Sequence, residues 1–200
     1  MSSPAPKPPS SDDNAFKAEL VTLIPHLRAF ARTLTGDATA ADDLAQDAMV
    51  KAWDARASFQ MGTNMKAWTF MILRNQFYSD KRRSWRQSQL DQEAAERTLV
   101  AVDNPEAPVA LDELRLALAS LPEEQREALI LVGAGGFAYE EAAAICDCAV
   151  GTVKSRVSRA RKALLSVLES GGYDRDGKAA GDAMASILGA ADRLSGGHSH

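Results

Sequence analysis

Between Val150 and Leu164 the segment VGTVKSRVSRARKAL sets Val150, Val153, Val157, Ala160 and Leu164 three or four residues apart. Only an α-helix gathers that spacing onto one side, so the segment reads as a helix with one buried stripe. Its other side carries Thr152, Lys154, Ser155, Ser158, Arg159 and Lys162, and no acid falls between Ala149 and Leu165. Long cations separated by short hydroxyls suit a surface that lies against a groove wall: Arg and Lys pair with guanine edges or phosphates, and Ser serves either. Just before it, YEEAAAI makes a short helix in which Ala142 and Ala143 permit close crossing, and a turn of four or five residues separates the two. That pattern is a helix-turn-helix whose second helix enters the major groove. The alternative is a basic helix that binds only protein.

The net charge of −4 argues weakly against nucleic-acid binding, but the charge is segregated. Lys66, Arg74, Lys81, Arg82, Arg83 and Arg86 stand against Asp80 alone between Asn64 and Gln87, and Lys154, Arg156, Arg159, Arg161 and Lys162 form the second cationic block. Two basic surfaces on an acidic body fit two contacts with a polyanion; two solvated helix faces are the bland alternative.

No strand-type alternation appears, and the expected fold is all-α, two small helical domains joined by a flexible acidic linker. The apolar positions Phe16, Leu20, Leu23, Leu27, Phe30, Ala31 and Leu34 predict a helix interrupted at Pro25 and ended by Gly36. Asp37 or Thr39 caps a second helix running to about Phe59, with Leu44, Ala48, Trp53 and the stem of Lys51 on its inner side. Thr63 or Asn64 caps a third, with Met65, Trp68, Ile72 and Asn75 in one stripe. After Ser88 acids and prolines accumulate. Leu111, Leu114, Leu118 and Leu121 then line the first helix of the second domain, Pro122 opens the next, and GAGG breaks it. The reading divides the chain into a disordered arm (1–14), a first domain (15–87), a linker (88–108), the helix-turn-helix domain (109–170) and a tail (171–200) with a short amphipathic helix through Met184, Ile187, Leu188, Ala191 and Leu194.

Several classes are disfavoured. No apolar run approaches the roughly 18–20 residues that span a bilayer, and the Pro- and Ser-rich start is no signal peptide, so a cytoplasmic address is expected. There is no P-loop, dinucleotide fingerprint or credible nucleophile–base pair, so neither an enzyme nor a cofactor is expected. Cys146 and Cys148 would make a tetrahedral metal set with His198 and His200. Those histidines lie about fifty residues away in a Gly-rich tail, so turn geometry is preferred to a metal or redox role. Cys146 is expected to end its helix against the core, and Cys148 to stand near the N-cap of the next.

YEEAAAICDCAVGTVKSRVSRARKAL resembles region four of bacterial sigma factors, and its GTVKSR…RAR core resembles their extracytoplasmic-function (ECF) family. ADDLAQDAMVKAWDARASF resembles the region-two helix that docks on RNA polymerase, and GTNMKAWTFMILRNQFYSDKRR the helix that reads and melts promoter DNA. With IPHLRAFARTLTGD and LPEEQREALILVGAGGFAYEEAA, the likeness is to the alphaproteobacterial general-stress group, over about Phe16 to Leu168. The resemblance implies a non-enzymatic protein that binds core RNA polymerase and promoter DNA. It makes Lys154, Ser155, Ser158 and Arg159 the base-edge residues for the minus-thirty-five element, and Thr152, Arg156 and Arg161 its phosphate contacts. For the minus-ten element it implies Thr63, Asn64 and Asn75 as readers, with Lys66, Arg74, Lys81, Arg82 and Arg83 along the strand backbones. Asp42, Asp43, Gln46 and Asp47 form the polymerase-docking face, and Trp68 is read as core. It further implies a NepR-type anti-sigma factor, released by a PhyR-type regulator that mimics the sigma factor. Two departures stand out: Asp147 where the turn often has Gly, and Thr69 where relatives carry an apolar residue. The rival classes are a sigma-like protein-binding decoy, which would need a receiver domain and weakened DNA contacts, and a conventional helix-turn-helix factor, which leaves the first half unexplained.

Overall fold

A computed structural model of the chain describes residues 11–90 and 117–169, and all the regular structure there is helical. α1 (Ser11–Thr22) and α2 (Ile24–Thr35) meet at Leu23. The interruption expected at Pro25 is therefore a restart: Pro25 occupies the first turn of α2, where its missing N–H has no helical partner to lose. Residues 11–14, placed in the arm by sequence, belong to α1, and Asp13 holds Arg56 at 2.7 Å. Gly36 ends α2 in the left-handed conformation, φ 71°, its N–H donating to the Arg32 carbonyl.

Asp37 caps α3 (Ala38–Asp54), its carboxylate accepting from the Ala40 N–H at 2.7 Å. A 3-10 turn (Arg56–Ser58) follows, so α3 stops short of the expected Phe59. Asn64 caps α4 (Met65–Leu90), its side-chain oxygen accepting from the Ala67 N–H at 3.0 Å. At 26 residues α4 is about 39 Å long and runs past the expected domain end at residue 87.

The first core joins Leu27, Phe30, Ala31 and Leu34 of α2 to Ala41, Leu44, Ala45, Ala48 and Ala52 of α3 and Met65, Phe70 and Leu73 of α4. Burying a Leu or Phe side chain contributes about 1.5–3 kcal/mol, so this layer supplies most of the unit's driving force. Phe16 packs edge to face on Phe59 and Trp68, which are tilted against each other, with ring centroids 5.1–6.2 Å apart across the cluster that includes Trp53. Trp68 thus packs as expected. Two inner-face assignments are corrected. Lys51 is exposed and bonds Gln76, and Asn75 is exposed; Met65, Trp68 and Ile72 lie in or against the core, joined there by Thr69, Phe70 and Leu73. Thr69 is tolerated in the core because its hydroxyl donates to the Met65 carbonyl at 2.9 Å.

In the second unit Leu121 is buried and α5 (Glu123–Gly133) starts after Pro122. Leu111, Leu114 and the tail helix lie outside the described residues. Gly133–Gly136 end α5 as expected. Gly135 is fixed by crowding: a Cβ there would lie 2.6 Å from the Leu131 carbonyl and 2.9 Å from the Phe137 ring. α6 (Tyr139–Cys146) and α7 (Val150–Glu169) form the helix-turn-helix. Val153, Val157, Ala160 and Leu164 are buried, as the stripe required.

The turn is closed by backbone. Asp147 takes φ 51°, ψ 53°, the left-handed state that Asp adopts more readily than most residues. Its N–H donates to the Ala144 carbonyl, and the Cys148 N–H reaches back to Ala143 at 3.1 Å. These are the paired bonds of a Schellman motif, which satisfies the last carbonyls of α6. Cys146 ends α6 in the core, as expected. Cys148 stands one place before the cap: Ala149 precedes α7, and its carbonyl accepts from Thr152 and Val153. Burial pushes the Cys146 thiol up to about 12, whereas Cys148 is half-buried. Thiol alkylation of the native chain at pH 8 is therefore expected to stop at one label, on Cys148. Peptide mapping checks this, and prompt labelling of Cys146 would contradict the burial.

Candidate DNA and polymerase interfaces

On α7 Lys154, Ser158, Arg159 and Lys162 are exposed, and Thr152 and Ser155 half-buried beside them. The Ser155 hydroxyl donates to the Thr152 carbonyl at 2.9 Å. Arg159 folds back one turn: Nε donates to the Ser155 carbonyl at 3.2 Å and Nη2 to the Ser155 hydroxyl at 3.0 Å. The Lys154 ammonium sits 5.7 Å from the Tyr139 ring centroid on α6. Two assigned phosphate contacts differ from this open face. Arg156 turns toward α5, with its guanidinium 2.6 Å from Glu124 and 3.6 Å from the Cys148 sulfur, and its side chain is 15% exposed. Arg161 is half-buried.

The other cationic set lies along α4, where half of it meets the helix-turn-helix unit. Asn64 donates to Glu141 at 2.6 Å, and the Lys66 ammonium to the Gly135 carbonyl at 2.7 Å while lying 5.0 Å from the Phe137 ring centroid. Arg74 reaches Glu127 at 2.7 Å, the Tyr78 hydroxyl donates to the same carboxylate at 3.3 Å, and Lys81 pairs with Glu123. Glu127 is the extreme case, with a side chain 0% exposed. Its burial pushes the carboxyl above its ordinary range while the Arg74 guanidinium pulls the other way. A carboxylate this deep is held only where charge and hydrogen bonds compensate its lost water. Phe70 and Phe137, 5.0 Å apart, continue the seam with apolar contact. Four of the eight residues assigned to the minus-ten element, Asn64, Lys66, Arg74 and Lys81, are thus engaged by the second unit, whereas Thr63, Asn75, Arg82 and Arg83 remain exposed. Sequence reasoning missed Glu127, which looks like one more acid near a helix start.

On α3 Asp42 pairs with Arg28 at 3.2 Å. Asp43, Gln46 and Asp47 are exposed, and Val50, 54% exposed, lies one turn further along. The acidic face thus has an exposed apolar neighbour at its C-terminal end that the charge pattern alone concealed.

A helix-turn-helix with an open cationic face, packed on a second unit that carries its own cationic helix and an acidic flank, defines a two-part helical DNA-binding protein. Comparison with known proteins supplies the family. Residues 20–87 match the family model described as Sigma-70 region 2, and residues 111–164 match Sigma-70, region 4. The chain is 48% identical over 155 residues to the ECF RNA polymerase sigma factor EcfG of Rhodopseudomonas palustris (strain TIE-1), covering 78% of this chain and 86% of that protein. It is 37% identical over 135 residues to the ECF RNA polymerase sigma-E factor of Escherichia coli (strain K12), covering 61% and 70%. Among solved structures, the sigma factor RpoE from Bartonella quintana, in complex with the anti-sigma factor NepR, has 46% identity and a TM-score of 0.70, covering 81% of this chain and 99% of that one. The chain belongs to the ECF RNA polymerase sigma factors. It is a sigma factor: it binds core RNA polymerase and directs it to promoter DNA. Among the described residues no helix is long and apolar enough to cross a membrane.

Proposed function

We propose that the two cationic surfaces divide promoter recognition between them, and that the chain as folded here is the silent form. α7 reads the minus-thirty-five element in the major groove through Lys154, Ser158 and Arg159. α4 and the loop before it receive the minus-ten element through Thr63, Asn64 and Asn75, with Lys66, Arg74, Lys81, Arg82 and Arg83 along the backbones. Asp43, Gln46 and Asp47 dock on a basic surface of the polymerase. The chain performs no chemistry of its own, and it works in the cytoplasm with the polymerase.

The observation that carries the silent-form reading is the pairing of Asn64, Lys66, Arg74 and Lys81 with groups of the second unit. Single-stranded promoter DNA has to displace those groups. The likeness to EcfG and to a sigma factor solved with NepR supports a general-stress role and a NepR-type anti-sigma partner.

Transcription in vitro with purified core polymerase over a promoter library tests the function and reads the specificity. Arg159→Ala should lower promoter-dependent initiation by roughly 1–3 kcal/mol, concentrated at one base pair. Core-polymerase affinity stays near normal. Equal loss across all upstream sequences would make Arg159 a phosphate contact instead.

A further inference from the structure

Ser155 and Arg159 are four residues apart on α7, and the serine occupies one whole edge of the guanidinium. Nε and Nη2 form the side edge of the arginine fork, and both are bonded to Ser155, one to its carbonyl at 3.2 Å and one to its hydroxyl at 3.0 Å. The hydroxyl can accept there because its own proton is committed to the Thr152 carbonyl at 2.9 Å. A serine held this way has its donor spent and one lone pair filled. It is half-buried, whereas Arg159 is exposed. What remains open is the end edge of the guanidinium, Nη1 with the outer hydrogen of Nη2. That edge presents two parallel N–H groups, which match the O6 and N7 acceptors of guanine.

We infer that Ser155 is a positioning residue rather than a base reader: it fixes the Arg159 fork so that its end edge meets a guanine of the upstream promoter element. The inference rests on the proposed reading of α7 as the minus-thirty-five helix and assigns the two residues unequal roles within it. An arginine clamped on its side edge loses little freedom on binding, and its discrimination follows from a geometry set before DNA arrives.

The experiment uses holoenzyme assembled from core polymerase and the full chain, on promoters carrying each base at each minus-thirty-five position. Ser155→Ala should cut the guanine preference at a single base pair, on the order of tenfold or more, with polymerase affinity unchanged. Ser155→Thr, which keeps the hydroxyl, should restore it. Ser155→Ala added to Arg159→Ala should cost nothing further, because the serine acts only through the arginine. Alanine favours helix, so α7 itself is not endangered by the change. A Ser155→Ala loss at a different base pair from that of Arg159→Ala, or one that persists in the Arg159→Ala background, overturns the inference and makes the serine a reader. If Arg159→Ala is selective and Ser155→Ala has no effect, the positioning role alone falls. If Arg159→Ala changes no upstream preference, the reading of α7 falls with it.

Discussion

Replacing Glu127 by Ala in the full chain is expected to separate the two helical units. Glu127 is the buried end of the contact, and Arg74, the partner it would abandon, has a side chain only 14% exposed. Removing one member of a buried ion pair costs about 3–5 kcal/mol, because the other charge stays buried without compensation. Here the chain has a cheaper escape, since parting the units returns Arg74 and Tyr78 to water. Small-angle scattering should therefore show a larger radius of gyration for the variant at moderate salt. The holoenzyme should initiate at least as well as the wild type, because Arg74 and Lys66 are freed for DNA. Glu127→Gln keeps hydrogen-bonding atoms in place and should fall between the two. Unchanged scattering for Glu127→Ala would show that apolar contact between Phe70 and Phe137 suffices to hold the seam.

The combined change Asp43→Lys and Asp47→Lys is expected to abolish docking on the polymerase while leaving the fold intact. Both residues are exposed, one turn apart on α3. Substitutions at such positions usually move stability by no more than about 0.5 kcal/mol. Facing a basic partner, the reversed charges would turn attraction into repulsion, which costs several kcal/mol, on the order of a hundredfold or more in affinity. Titration of the labelled chain with core polymerase measures the loss, and thermal unfolding controls for the fold. A stable variant that still binds normally would move the docking face elsewhere. Val50→Ala should cost far less, so the pair of variants separates charge from apolar contact.

The elements that sequence reasoning located well are those with a single buried side. α7 presents one stripe to one core, and each of Val153, Val157, Ala160 and Leu164 is buried. Breaks set by backbone chemistry were equally legible: Gly36 takes positive φ where a helix had to end, and Asp147 accepts the left-handed turn. α4 was only partly legible, for a physical reason: Met65, Trp68 and Ile72 were placed, but Asn75 is exposed and Thr69, Phe70 and Leu73 went unread. The helix packs against α2 and α3 on one side and α6 on another, so its buried residues follow two overlapping lines instead of one. Thr69 further disguised the inner line, because a hydroxyl that bonds its own helix looks polar in sequence and behaves as core. The site divided in the same way. Arg159 and Lys154 were readable from the face they share. That Arg156 is claimed by Glu124, and Arg74 by Glu127, depends on partners 32 and 53 residues away, which local spacing cannot encode.

The pairing of α4 with the carboxylates of α5 also bears on how DNA binding responds to salt. A protein that meets DNA with bare cations gains from counterion release, and its affinity falls steeply as salt rises. In this chain Arg74 and Lys81 are already paired with anions tethered to the same polypeptide, Glu127 and Glu123. Exchanging those carboxylates for phosphates is a swap of one fixed anion for another, and the same salt that screens the DNA contact also loosens the seam. The salt slope of the folded chain should therefore be shallower than its number of DNA-facing cations implies.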